Sequence, residues 1–229
     1  KLVLTDTLSY KKDSVALYDG AFRIQKEDGK VIKVVDYPLY FRNVAKEKLP
    51  KEESKIYTWS ANLSQSINPG WVILLTPLVV AFFTFLRSRK KEPSTPTKIA
   101  FGLLISALSV LVMVAAVHIG NNGAEKVSVW WLVANYGVIT IGELFLSPMG
   151  LSVVSKLSPK NITSLMMGGW FLATSIGNKL SGVLASMWDS YENKANFFWI
   201  NFSLLLFATL LMFALVKELN KVMKEKGIN

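Results

Sequence analysis

The sequence contains no cysteine and a single histidine, His118, among its 229 residues. Disulfide frameworks and thiolate metal sites are therefore excluded, as are zinc sites that need several histidine ligands. P-loop, GxGxxG, HExxH and GxSxG motifs are also absent, so the usual signatures of nucleotide-binding and hydrolytic enzymes are missing. We expect a protein that is not an enzyme, with no catalytic residue, no metal and no bound cofactor.

Charge is scarce where the chain is most apolar. A helix that crosses a hydrocarbon core needs about 20 apolar residues. Five long apolar runs contain only two formal charges, Glu143 and Lys179; the runs cover 71–86, 99–119, 129–154, 163–187 and 197–216. The net charge of +10 alone would suggest nucleic acid, but uncharged runs of this length favour a lipid bilayer as the partner. The sequence predicts an all-α transmembrane protein with helices at about 58–88, 97–119, 128–156, 162–188 and 195–220.

The first predicted helix is longer than its apolar run. Trp59, Leu63, Ile67 and Trp71 recur every four residues, which predicts one helical face and a start near residue 58. Asn68 then lies inside the helix, beside Pro69, and faces an aqueous cavity. The alternative is a helix that starts at Pro69 with Asn68 as its N-cap.

The distribution of basic residues between the loops predicts the orientation. The ends at 87–98, 156–160 and 217–226 hold 11 Lys and Arg residues, whereas the opposite ends at 118–128 and 188–196 hold two. The positive-inside rule then places the C-terminus in the cytoplasm and residues 1–57 outside. We expect a multi-pass protein of the cytoplasmic (inner) cell membrane.

Residues 1–57 differ in character from 58–229 and form the second predicted domain. The segments 15–25 and 31–42 are rich in Val, Ile, Tyr and Phe, and 26–30 has the composition of a turn. This pattern predicts an extracytoplasmic loop insertion with a small β-hairpin. A two-stranded hairpin alone is marginally stable in water, so it must lean on the membrane domain or on further chain.

Glu143 and Lys179 are the strongest candidates for chemistry. A carboxylate in mid-membrane is costly and usually faces protein or water. Glu143 shares a polar stripe with Tyr136, Thr140 and Ser147 at helical spacing, which predicts a cation or proton site; a structural ion pair is the alternative. Lys179 is either the charge partner of Glu143 or a lysine that snorkels outward.

Two aromatic residues, Trp170 and Phe171, lie seven and eight residues into the fourth apolar run. Aromatic residues at a membrane interface are usually anchors. These two lie deeper than such a belt, so they are predicted to line a pocket.

Several motifs occur in a fixed order along the chain. They are Gln65-Ser-Ile-Asn-Pro69, Pro93-Ser-Thr-Pro-Thr-Lys98, Thr140-Ile-Gly-Glu-Leu-Phe-Leu-Ser-Pro-Met-Gly-Leu-Ser152, Lys156-Leu-Ser-Pro159, and Met166-Met-Gly-Gly-Trp-Phe-Leu-Ala-Thr174 with Gly177-Asn-Lys179. Together they resemble the C-terminal half of the proton-coupled oligopeptide transporters, a branch of the major facilitator superfamily. The resemblance covers about 58–216.

The resemblance implies that the five helices are the eighth to twelfth of twelve, in a C-terminal helix bundle of the major facilitator superfamily. The chain, which begins at Lys1 rather than Met, is then expected to be an incomplete fragment that lacks the N-terminal helix bundle. The implied function is a symporter that imports di- and tripeptides by alternating access, with protons as the coupling ion.

The resemblance also implies roles for individual residues. Glu143 would hold the peptide's N-terminal ammonium and Asn68 would hydrogen-bond the peptide backbone. Trp170 and Phe171 would line a side-chain pocket, with Ser147 and Thr174 near it.

Two other functions are compatible with the sequence. The same fold could transport another small solute, such as nitrate or a conjugated molecule, because fold does not fix substrate. The chain could also be a non-transporting membrane scaffold subunit, although a scaffold needs neither of the two mid-membrane charges.

Overall fold

A computed structural model of the chain describes residues 5–17, 25–41, 44, 47, 49–51, 53–59, 61–123, 125–191 and 193–225. The chain divides into two compact units. The first comprises 1–66 with 118–128, and the second comprises 67–117 with 129–229.

The first unit contains short antiparallel strand pairs. Strand β1 (Thr5–Ser9) pairs with β6 (Lys55–Trp59), β2 (Asp13–Ala16) pairs with β5 (Lys33–Asp36), and β3 (Lys26–Glu27) pairs with β4 (Lys30–Val31). The β3–β4 turn is made by Asp28 and Gly29, both with positive φ (48° and 75°). An Asp-Gly pair favours this two-residue hairpin turn because glycine tolerates positive φ without steric cost.

The turn lies within the predicted segment 26–30, but the flanking strands are shorter than predicted. Residues 39–41 form a 3₁₀ turn rather than a continuation of β5. Pro38 directly precedes this turn and has no N–H to donate to a strand ladder. Residues 18–24 and 42 of the predicted strands lie outside the described residues.

Strand β6 corrects the prediction for the first helix. Trp59 is the last residue of β6, where its backbone pairs with Thr5, so it is not part of the helical face that we predicted. The aromatic and β-branched run Ile56-Tyr57-Thr58-Trp59 favours a strand. The helix begins at Ala61, and Leu63, Ile67 and Trp71 remain on it.

Aromatic contacts hold the first unit together. The Tyr10 ring stacks on Tyr37 with centroids 4.5 Å apart and meets Phe41 edge-on at 4.8 Å. The Lys126 ammonium lies 3.3 Å from the centroid of the Tyr40 ring, and burial lowers the pKa of Lys126. The strand segment therefore leans on the 118–128 loop, which is one form of the support that a lone hairpin needs.

The five long helices are α1 (Ala61–Ser88), α2 (Thr95–Ile119), α3 (Trp130–Leu157), α4 (Thr163–Ser186) and α5 (Lys194–Glu225). Their bounds lie close to the predicted ones, and α5 continues beyond residue 220. By length and composition, four of them (α1, α2, α3 and α5) can cross a membrane. Helix α4 is less apolar because it carries Asn178, Lys179 and several Gly and Ser residues.

Helix α2 is the most enclosed of these four spans: 39% of its most apolar stretch is buried, against at most 17% in the others. It contacts α3 where Gly102 and Gly142 meet, since a Cβ on Gly142 would lie 2.8 Å from the Gly102 carbonyl oxygen. Phe101 of α2 also meets Phe213 of α5 at 5.7 Å. The close backbone approach requires glycine because any side chain would push the two helices apart.

Candidate functional site

Asn68 and Glu143 meet in the second unit. Asn68 Nδ2 donates a hydrogen bond of 3.2 Å to Glu143 Oε2, although the two residues are 75 positions apart. Asn68 is the eighth residue of α1 and Glu143 the fourteenth of the 28 residues of α3. Asn68 is therefore well inside its helix, and the alternative that it caps a helix starting at Pro69 is wrong.

Thr140 completes the cluster. Its Oγ1 lies 2.7 Å from Asn68 Oδ1 and 2.7 Å from the Tyr136 carbonyl oxygen. A hydroxyl has one proton, so these two acceptors share a single donor. Thr140 is fully buried. Thr140 is not among the site residues predicted from the sequence. Its position on the polar stripe, three residues before Glu143, is the signal that points to it.

A second contact fixes the relation of α1 to α3. Trp71 Nε1 donates a 3.0 Å hydrogen bond to the Val133 carbonyl oxygen, and the Trp71 ring lies against Gly137, where a Cβ would be 3.2 Å from Cε2. Trp71 is three residues beyond Asn68, so the two side chains share a helix face. The Trp71 anchor therefore holds Asn68 in register with Thr140 and Glu143.

Among the residues that the structure describes, the cluster leaves specific polar groups without a hydrogen-bond partner. Glu143 receives a bond at Oε2, while a carboxylate has room for about four hydrogen bonds. Asn68 uses one of its two N–H groups on Glu143 and its Oδ1 atom on Thr140. The remaining carboxylate oxygen of Glu143 can accept a hydrogen bond from a cationic donor, and the remaining N–H of Asn68 can donate to a carbonyl. A ligand that carries both groups can therefore bind here.

Trp170 lies at the contact between α3 and α4. A Cβ on Gly150 would be 2.7 Å from Trp170 Cζ2, so the indole ring occupies the space that a side chain at position 150 would need. Trp170 also lines a mostly apolar cavity of about 650 Å³, together with Val154, Met166 and Leu172 among others. Neither Asn68 nor Glu143 is among the lining residues.

The other predicted residues lie on exposed surface. Phe171 is 59% exposed and is not among the residues that line the cavity beside Trp170. Thr174 Oγ1 donates a 3.0 Å bond to the Trp170 carbonyl oxygen, within its own helix, and Ser147 is exposed one turn beyond Glu143. The structure thus brings Asn68 and Glu143 into hydrogen-bond contact, Ser147 lies on the same face of α3 one turn from Glu143, and no hydrogen bond among the described residues joins Phe171 or Thr174 to this pair.

Lys179 is exposed on α4. Within the described part of the chain no ion pair joins it to Glu143. The predicted pairing of the two charges stays a prediction.

A set of long apolar helices with a carboxylate-centred polar cluster in mid-helix is typical of polytopic membrane proteins with an internal polar site. The sequence model of the POT family matches residues 52–200. The chain belongs to the POT family, which confirms the resemblance and the fold class that it implied. It is part of a multi-pass membrane protein.

Individual relatives agree with this assignment. The chain is 36% identical over 132 residues to the dipeptide and tripeptide permease A of Proteus mirabilis (strain HI4320), a match that covers 58% of the chain and 26% of the permease. It is similar to a POT family transporter solved with a thioalcohol conjugated peptide, with a TM-score of 0.63 and 26% identity over 79% of the chain and 36% of the transporter. A POT family transporter solved with 5-aminolevulinic acid gives the same TM-score, identity and coverage. The chain spans about a quarter of the length of the curated relatives that it matches.

Proposed function

We propose that the full-length protein carrying this chain is a proton-coupled symporter that imports di- and tripeptides by alternating access. The observation that carries the proposal is the Asn68–Glu143 contact at mid-helix. A peptide offers an N-terminal ammonium and, on the same residue, the carbonyl of its first peptide bond. The unused carboxylate oxygen and the unused amide N–H match these two groups.

Glu143 is proposed to bind the ammonium group. The attraction between a cation and a carboxylate is stronger in a desolvated site than at an exposed surface, where such ion pairs contribute about 0–1 kcal/mol of stabilising free energy. Asn68 is proposed to donate its second N–H to the peptide carbonyl. Thr140 supports the arrangement because it occupies Asn68 Oδ1 and so keeps the N–H groups directed at Glu143 and the ligand.

Trp170 and Phe171 are proposed to line the side-chain pocket, with Ser147 and Thr174 at its edge. Their exposure in this chain leaves a face that ligand and the N-terminal helix bundle, the proposed intramolecular partner, can contact. Lys179 is proposed as the charge partner of Glu143 when no ammonium is bound, because an unpaired carboxylate in the membrane is costly.

The proposed driving force is the proton gradient, with no other cofactor and no chemical conversion of the peptide. Moving one positive charge inward across 100 mV is favourable by about 2.3 kcal/mol. The proposed orientation has the C-terminus in the cytoplasm and residues 1–57 outside the inner membrane, which follows from the excess of Lys and Arg at 87–98, 156–160 and 217–226.

A second candidate is transport of a non-peptide solute that keeps an ammonium and a carboxylate. The similar transporter in complex with 5-aminolevulinic acid favours this alternative. Such a solute needs Glu143 for its ammonium but lacks a peptide bond. A solute of this kind uses the second N–H of Asn68 only if it has a carbonyl at the same distance from its ammonium, as the ketone of 5-aminolevulinic acid is.

The test uses the full-length protein in proteoliposomes with an acidic exterior and labelled dialanine. We expect gradient-dependent uptake that tripeptides inhibit and free alanine does not.

Glu143→Gln preserves the shape and the Asn68 contact but removes the charge, and should reduce uptake at least tenfold. Glu218→Gln, the same change on exposed α5, is the matched control. Unchanged uptake by Glu143→Gln would contradict the proposed binding of the peptide ammonium by Glu143. Uptake of 5-aminolevulinic acid without uptake of dialanine would favour the second candidate.

A further inference from the structure

A polar cavity lies at the opposite end of α1 from Asn68. It has a volume of about 720 Å³ and lies between the α1–α2 loop and the last turns of α3. Its lining contains three basic side chains, Arg87, Lys98 and Lys156, but one acidic side chain, Glu92. The peptide proposal does not use this cavity.

Two of the three basic groups, Arg87 and Lys98, are held in place by Glu92. Glu92 accepts hydrogen bonds from Arg87 Nε at 2.7 Å and Arg87 Nη2 at 3.1 Å, and from Lys98 Nζ at 2.5 Å. The Lys98 side chain is only 6% exposed, and its ammonium also lies 4.4 Å from the centroid of the Phe83 ring. A buried lysine with a fixed position is unlike a flexible surface lysine, because little side-chain entropy remains to be lost on binding.

Donors remain after these contacts are counted. Lys98 has three N–H donors and gives one to Glu92, while Arg87 has five and gives two. The hydroxyl of Ser152 also lines the cavity. The lining therefore offers several hydrogen-bond donors to a ligand rich in acceptors.

The charge of the lining is positive at neutral pH. Hydrogen bonds from Arg87 and then Lys98 lower the pKa of Glu92 to about 2, so Glu92 stays ionised and cancels one of three positive charges. A net charge of +2 in a concave site favours an anion. The first residue of α2, Thr95, also lines the cavity, and the positive end of this 25-residue helix acts in the same direction.

The position of the cavity along the helices indicates which class of anion it binds. The cavity lies where the candidate spans end at Ser88 and Leu157 and begin at Thr95, and the ends of membrane-spanning helices are close to the lipid headgroups. Pro148 and Met149 add apolar lining. A basic pocket between membrane helices at this level is suited to a phosphate group.

We propose that this cavity binds a phosphate group through Lys98, Arg87 and Lys156, supplied by an anionic phospholipid headgroup or by a soluble phosphate. Arg87 and Lys98 are preorganised by Glu92, while Lys156 closes the site from α3. The site would therefore connect the α1–α2 loop to α3 through a bound anion.

The test is binding of phosphatidylglycerol to the full-length protein in detergent, followed by native mass spectrometry, with phosphatidylcholine as the neutral lipid. A second arm measures the thermal shift caused by inorganic phosphate without lipid. We expect preferential phosphatidylglycerol binding that Lys156→Gln weakens about fivefold to tenfold. Lys160→Gln, the same charge change outside the lining, should leave binding unchanged. Lys156 is exposed, so its substitution should not prevent folding.

Each outcome decides the proposal. Phosphatidylglycerol binding that depends on Lys156 identifies a lipid source, and a phosphate shift that depends on Lys156 identifies a soluble one. Absence of both, or equal weakening by Lys156→Gln and Lys160→Gln, would overturn the site. Neither arm measures transport, so the result is independent of the proposed symport.

Discussion

Thr140 Oγ1 lies 2.7 Å from Asn68 Oδ1, and donation to this oxygen favours the amide orientation in which Asn68 Nδ2 faces Glu143. An amide without this contact could turn its oxygen toward the Glu143 carboxylate, where two acceptors would repel. Thr140 is fully buried, so water does not replace the bond. The geometry of the Asn68–Glu143 contact therefore depends on a hydroxyl that need not touch any ligand.

Thr140→Val keeps the shape of the side chain and removes the donor. Leaving a buried acceptor unsatisfied costs about 1–3 kcal/mol, and about 1.4 kcal/mol corresponds to a tenfold change. We expect at least a fivefold weaker apparent affinity for dialanine. Thr140→Ser, which keeps the hydroxyl, is the control and should retain affinity. Equal affinity of the Val and Ser variants would contradict the positioning role.

Gly150→Ala tests the packing of the Trp170 ring against α3. The added methyl would overlap the indole ring, and overpacking of this kind costs about 1–3 kcal/mol. We expect a lower Tm and altered discrimination between dipeptides with large and small side chains. Gly182→Ala is the control on α4, since a Cβ there meets nothing within 4 Å. A Gly150→Ala variant with unchanged Tm and unchanged side-chain preference would show that the ring can move aside freely.

Glu92→Gln tests the basic cavity through its pH dependence. The pKa of Glu92 falls from 4.5 to about 2 in the folded protein, so its stabilising contribution is present above pH 4.5 and disappears as the pH falls toward 2. Glu92 is partly exposed, so we expect a contribution of less than about 1 kcal/mol. Thermal unfolding of wild type and Glu92→Gln at pH 7, 5 and 3 should show a difference that shrinks at the lowest pH. A difference that grows on acidification would refute the assignment.

Lys126→Met tests the contact that holds the 118–128 loop in the first unit. The ammonium over the Tyr40 ring is an interaction of about 0.5–2 kcal/mol. Its loss should speed amide hydrogen exchange in 118–128 and in 39–41. Lys126→Arg keeps the cation and should preserve protection. If exchange in both segments is the same in all three proteins, the contact does not hold the loop.

The sequence predicted the helices well because the apolar runs are long and nearly free of charge. It also located the Asp28–Gly29 turn, which depends on local chemistry. Pairing of β1 with β6 was not predicted, since the paired residues lie about 50 positions apart and neither strand has a strong alternating pattern. Trp59 was misassigned because a four-residue recurrence continues by chance into the strand.

The candidate site was predictable in part. The cost of a charge in an apolar run singles out Glu143, and the polar stripe includes Thr140. The stripe gives the face of one helix but not its neighbour, so the contact of Glu143 with Asn68 required either the family resemblance or the structure. The sequence predicts only a basic loop at 87–98. The order of residues does not show the turn that places Glu92 between Arg87 and Lys98.

The meeting of Gly102 and Gly142 has a mechanical consequence. The Ser106 hydroxyl packs beside Gly142, and Phe145 and Leu146 pack beside Gly102, so the space around the two glycines is filled. Two helices in such close contact have little room to slide past each other at this level. Glu143 directly follows Gly142 in the sequence, so the contact of α3 with α2 also restricts how far the Glu143 carboxylate can shift relative to Asn68.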